Sequence, residues 1–132
     1  MDVPVLMLID DEYGVRESVK MVFGKQYHVV EADSAEAALT MVRDLRPDVI
    51  LLDVMMPRTD GLEMLQRIKE IHAACEVIML TGVNSPQLAD RAKDFGACEF
   101  VGKPFDIIDL RKKVSRAFEL VGQKASAANP TR

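Results

Sequence analysis

Four short apolar runs, each stopped abruptly by a polar or turn-forming residue, constrain this chain more than any other feature. Val49-Ile50-Leu51-Leu52 runs straight into Asp53, and Met55-Met56-Pro57 turns the chain just after it. Val5 to Ile9 ends in Asp10-Asp11-Glu12, Val77 to Leu80 in Thr81-Gly82, and Cys98 to Val101 in Gly102-Lys103-Pro104. Apolar runs of this length bounded by turn signals read as buried strands. If they lie parallel in one sheet, their C-terminal ends share one edge, which is where α/β sheets bind ligands. Three carboxylates, a hydroxyl and an ammonium would then converge.

The segments between the runs have helical period. Val15, Val19, Val22 and Phe23 mark a first helix from about Tyr13 to Gly24, and a short strand from Tyr27 to Glu31 follows. Asp33 or Ser34 caps a second helix carrying Ala35, Ala38, Leu39, Val42 and Leu45 on one face, and Pro47 closes that connection. Asp60-Gly61 leads into a third helix with Leu62, Leu65, Ile68 and Ile71. After a strand from Glu76 to Leu80, Ser85-Pro86 caps a fourth helix that stops at Gly96. Asp106 caps a fifth, whose buried side is Leu110, Val114, Ala117, Phe118 and Val121 and which is expected to stop at Gly122.

Five strand–helix units with right-handed crossovers give an open α/β fold, a (βα)5 doubly wound parallel sheet with helices on both faces. At 132 residues and 48% hydrophobic content the chain suits one domain, expected over 1–122, with 123–132 a disordered tail or the start of a linker. The formal net charge of -4 argues against direct nucleic-acid binding. No apolar run approaches a membrane span and Met1-Asp2-Val3-Pro4 lacks a signal-peptide start, so a cytoplasmic protein is expected. Cys75 and Cys98 lack zinc-site spacing, and Met7, Met21, Met41, Met64 and Met79 fall at positions expected to be core. His28 and His72 fall away from the strand ends and receive no role.

Asp10, Asp11 and Asp53 held together would repel one another unless a cation sat among them. An all-oxygen site of this kind suits Mg²⁺. Asp53, alone on its strand, is then the candidate nucleophile toward phosphorus, with the Lys103 ammonium and Thr81 hydroxyl stabilising the oxygens of the transferring group. No glycine-rich nucleotide loop is present, so the phosphoryl donor is expected to be external.

Taken in order and spacing, Asp10-Asp11, Asp53 with Met55-Met56-Pro57 and Asp60-Gly61, Thr81, and Lys103-Pro104-Phe105 closely resemble the receiver domain of bacterial two-component response regulators, the CheY-like family. The resemblance spans about residues 4–121. It implies a flavodoxin-like strand order 2-1-3-4-5 and a phosphoryl group taken by Asp53 from the phosphohistidine of a sensor histidine kinase or histidine phosphotransfer protein. It further implies Mg²⁺ held by the side chains of Asp11 and Asp53, the carbonyl of Met55 and, through water, Asp10. Lys103 would pair with a phosphoryl oxygen, across a cis Lys103-Pro104 bond. Thr81 and Phe100 would form a switch that remodels helix four, strand five and helix five for a downstream protein or effector domain.

Met55 and Val83 occupy the positions that tune phosphoryl lifetime in that family, and neither can orient water by hydrogen bonding, so slow self-dephosphorylation is expected. Arg111, Lys112, Lys113 and Arg116 read first as a solvated face and second as a docking or homodimer surface. Two competing readings are weaker. A phosphorylation-independent binding module would not need all five site positions, and a Mg²⁺-dependent aspartyl phosphatase of the haloacid dehalogenase class would carry Asp-x-Asp after the first strand and a cap domain.

Overall fold

A computed structural model describes residues 3–82 and 85–128. The elements run β1 Val5–Ile9, α1 Tyr13–Phe23, β2 His28–Ala32, α2 Ala35–Leu45, β3 Val49–Asp53, α3 Gly61–Ile71, β4 Glu76–Thr81, α4 Pro86–Asp94, β5 Glu99–Gly102 and α5 Ile107–Ala128. All strand pairs are parallel and the order is β2-β1-β3-β4-β5. The sheet is therefore the doubly wound, flavodoxin-like one the resemblance implied.

Alternate residues of the central strands serve two separate cores, because successive side chains leave a strand on opposite faces. Met7, Ile9, Ile50, Leu52, Val77 and Met79 pack under α2, α3 and α4. Leu6, Leu8, Val49, Leu51, Ile78 and Leu80 pack under α1 and α5. Burial on both faces explains why these strands read as continuous apolar runs.

Local chemistry sets the helix starts. Ser34 accepts from the Ala37 amide, Asp60 from Leu62 and Glu63, Ser85 from Leu88, and Asp106 from Ile108 and Asp109. Each cap satisfies donors that a helix end leaves unpaired, a contribution of about 1 kcal/mol apiece. Gly61 has a further reason: a Cβ there would lie 2.8 Å from the backbone of Val54. Only glycine lets α3 begin so close to the chain leaving Asp53.

Three expectations are corrected. Helix α5 does not stop at Gly122 but runs on to Ala128. A mid-helix glycine costs about 1 kcal/mol, and the residues after it are mostly strong helix formers. Lys124 also ion-pairs with Glu76, a carboxylate buried at the start of β4. Met21 is 84% exposed rather than core, since it stands about 200° round the helix from buried Val19. Cys98 precedes β5 instead of opening it. His72, which received no role, is buried as the C-cap of α3, its Nε2 2.9 Å from the Pro47 carbonyl oxygen.

Candidate functional site

The C-terminal ends of β1, β3, β4 and β5 bring Asp10, Asp53, Thr81 and Lys103 to one edge of the sheet. Asp10 follows β1 directly; its amide donates to the Ala32 carbonyl at 3.1 Å, and the residue is wholly buried. One carboxylate oxygen, Oδ1, accepts the Glu12 amide at 2.9 Å, and Oδ2 accepts the Lys103 ammonium at 2.8 Å. Asp53 ends β3 and is 3% exposed. Its Oδ1 accepts the Met55 amide at 2.9 Å, while Oδ2 lies 3.4 Å from Lys103 Nζ.

Lys103 is held in place by backbone as well as by charge. Its amide donates to the Thr81 carbonyl at 2.6 Å, and the Lys103-Pro104 bond is cis. Its Nζ also reaches Glu12 Oε1 at 3.2 Å. Burial alone would lower the ammonium's pKa, but the hydrogen bond and charge of Asp10, the charge of Asp53 and the bond to Glu12 outweigh it, so the pKa is raised. The Asp53 carboxyl is also pushed up, first by burial and then by the charge of Asp10, despite the Met55 amide and Lys103 pulling down.

One oxygen from each of Asp10, Asp11 and Asp53 lies within 4.8 Å of the others. Two of these carboxylates are buried and Asp11 faces solvent, so the set is hard, anionic and reachable from outside. Such a donor set suits a divalent cation with oxygen preference. Beside it opens a cleft of about 790 Å³ lined by the polar Asp11, Asp53 and Lys103 and the apolar Val15, Pro57 and Phe105 among others. The Met55 side chain, 58% exposed, stands at its rim.

Thr81 is buried at the end of β4, opposite Gly102 of β5. Phe100 stands opposite Met79 and is half-buried against the core beneath α4, with no polar atom to satisfy. Val83 lies outside the described residues. Phe100 lies on β5 two residues before its end, and Asp10, Asp11, Asp53, Met55, Thr81, Lys103 and Pro104 lie at the strand ends or in the loops that follow them. Glu12 was missed: its side chain makes no cap bond at the start of α1 and goes to Lys103 instead. The signal was present in the run Asp10-Asp11-Glu12, which delivers a third carboxylate to the same strand end.

Comparison with known proteins agrees with this arrangement. A family model for the response regulator receiver domain matches residues 6–115. The chain is 35% identical over 116 residues to sporulation initiation phosphotransferase F of Bacillus subtilis, covering 87% of this chain and 94% of that protein. It is 32% identical over 120 residues to the regulatory protein AtoC of Escherichia coli, covering 90% of this chain but only 26% of that longer protein. Among solved structures, the receiver domain of NtrX from Brucella abortus superposes with a TM-score of 0.81 at 31% identity, over 86% of this chain and 98% of that one.

Proposed function

The chain belongs to the response regulator receiver domain family of two-component signalling, and from that premise we propose a Mg²⁺-dependent phosphoacceptor switch with Asp53 as the acceptor. The observation that carries the reading is the Lys103 ammonium, 2.8 Å from Asp10 and 3.4 Å from Asp53, set among the carboxylates at the sheet edge.

In this reading Asp53 Oδ attacks the phosphorus of a phosphohistidine on a histidine kinase or phosphotransfer protein. An O–P bond forms, the N–P bond breaks, and its electron pair returns to the imidazole. Asp11, Asp53 and the Met55 carbonyl, with Asp10 behind them, would hold Mg²⁺, which supplies charge neutralisation to the phosphoryl oxygens. Lys103 orients one of those oxygens, and the Thr81 hydroxyl turns toward another.

The output follows from packing. Thr81 is buried and Phe100 is only half-buried on the neighbouring strand, so movement of Thr81 toward the phosphoryl group opens space that the ring can enter. The surface of α4, β5 and α5 then differs between the two states and is read by a downstream protein or effector domain. The chain modifies itself and turns over no substrate, and it acts in the cytoplasm, consistent with the finding that no helix among the described residues is long and apolar enough to cross a membrane.

The test is incubation with acetyl phosphate, with and without Mg²⁺, followed by intact mass, in parallel with Asp53→Ala. A Mg²⁺-dependent gain of one phosphoryl group, absent in the variant, is expected. A gain that persists in Asp53→Ala, or no gain at all, overturns the assignment.

A further inference from the structure

The Lys103 ammonium has three N–H donors, and three carboxylates surround it: Asp10 at 2.8 Å, Glu12 at 3.2 Å and Asp53 at 3.4 Å. The contact to Asp53 is the longest of the three and gives way to the phosphoryl group itself; for Lys103 to turn further toward that group's oxygens, one of its two hydrogen-bonded partners, Asp10 or Glu12, has to let go. Asp10 is poorly placed to do so. It has no exposure, and its second oxygen is already committed to the Glu12 amide, so release would strand a buried charge. Glu12 differs in both respects. Its backbone is fixed, the amide bonded to Asp10 and the carbonyl accepting the Arg16 amide in the first turn of α1, but its side chain is 61% exposed and can pass directly into water.

Resting on the phosphoacceptor reading above, we infer that Glu12 is a positioning residue that holds Lys103 in the unphosphorylated state and gives it up to the phosphoryl group. The Glu12 carboxylate and the incoming anion compete for the position of the ammonium. The contact keeps the ammonium extended over the sheet edge and sets a threshold that a bound anion has to exceed. Because the pair is exposed on the Glu12 side, that threshold is small, of the size usual for one surface ion pair.

The experiment uses beryllofluoride, a phosphoryl mimic, titrated calorimetrically at saturating Mg²⁺ into the unaltered protein, Glu12→Gln, Glu12→Asp and Asp53→Ala. Competition through the contact predicts that Glu12→Gln and Glu12→Asp both bind about two- to fivefold tighter than the parent, the second because its chain is one methylene too short to reach Lys103. A gain in Glu12→Gln alone would mean that bulk negative charge, not the contact, is responsible, and would overturn the inference. So would unchanged or weaker binding in both variants. If the unaltered protein shows no binding that depends on Asp53, the phosphoacceptor reading itself fails and this inference falls with it; if the parent binds normally and only the Glu12 variants disagree, that reading stands and Glu12 has no part in it.

Discussion

Lys103 Nζ lies 2.8 Å from Asp10 Oδ2, and Asp10 is wholly buried, so this ammonium answers a carboxylate that water does not reach. Removing a partner from such a pair leaves its counterpart uncompensated. Lys103→Met should therefore lower stability in the absence of divalent cations by about 1–3 kcal/mol. Urea unfolding with EDTA and again with Mg²⁺ checks this: the deficit should shrink with Mg²⁺, because a bound cation neutralises the same carboxylates. An equal deficit under both conditions would show that Lys103 contributes packing rather than charge.

The pH dependence follows from the raised carboxyl of Asp53. Burial comes first among its causes and the neighbouring Asp10 charge adds to it, so the folded protein disfavours the ionised form. A carboxyl raised by folding favours the native state below its ordinary pKa of 3.8, and that advantage is lost as pH rises through the raised value. Asp53→Asn should accordingly be more stable than the parent at pH 7 without Mg²⁺. The difference should fade as pH is lowered into the carboxylate range, where Asp53 is protonated in both states. Thermal unfolding from pH 3 to pH 8 reads it out, and a variant less stable at neutral pH would contradict the direction.

The last turns of α5 bear on the body of the domain. Glu76 is buried at the foot of β4, and Lys124 is its ion-pair partner from beyond Gly122. Truncation after Gly122 should cost about 1 kcal/mol, less than a fully buried pair because Lys124 is half-exposed. Glu76→Gln in the truncated chain should recover part of the loss by removing the unpaired charge. If truncation leaves the urea midpoint unchanged, the pair contributes nothing measurable.

That helix also marks where sequence reasoning stops. The strands and the converging site were legible because continuous apolar runs ending in Asp53, Thr81 and Lys103 leave few other arrangements, and because Ser34, Asp60, Ser85 and Asp106 announce their helices. The extension of α5 was not legible, since Gly122 is a stop signal locally and Lys124 finds Glu76 only once the chain is folded. Glu12 stands between the two cases: the run Asp10-Asp11-Glu12 brings its carboxylate to the strand end, but its partner Lys103 is 91 residues away in sequence. His72 likewise shows no periodic or motif signal for its buried bond to Pro47, 25 residues distant.

Phosphoryl lifetime is the property most open to a single substitution. Hydrolysis of an acyl phosphate on Asp53 requires a water aligned against the phosphorus, and a hydrogen-bonding side chain beside the acceptor assists that alignment. Met55 stands two residues after Asp53, at the rim of the cleft, and its thioether is at most a weak acceptor. Because its side chain is 58% exposed, a polar replacement there would meet no buried apolar surface and should not disturb the fold. Met55→Asn should shorten the half-life of the phosphorylated protein on the order of tenfold, well short of what a full general base contributes. Loss of the phosphoryl group with time, followed by intact mass after removal of acetyl phosphate, gives the rate directly. A lifetime equal to the parent's would mean that access of water, rather than its orientation, limits hydrolysis at Asp53.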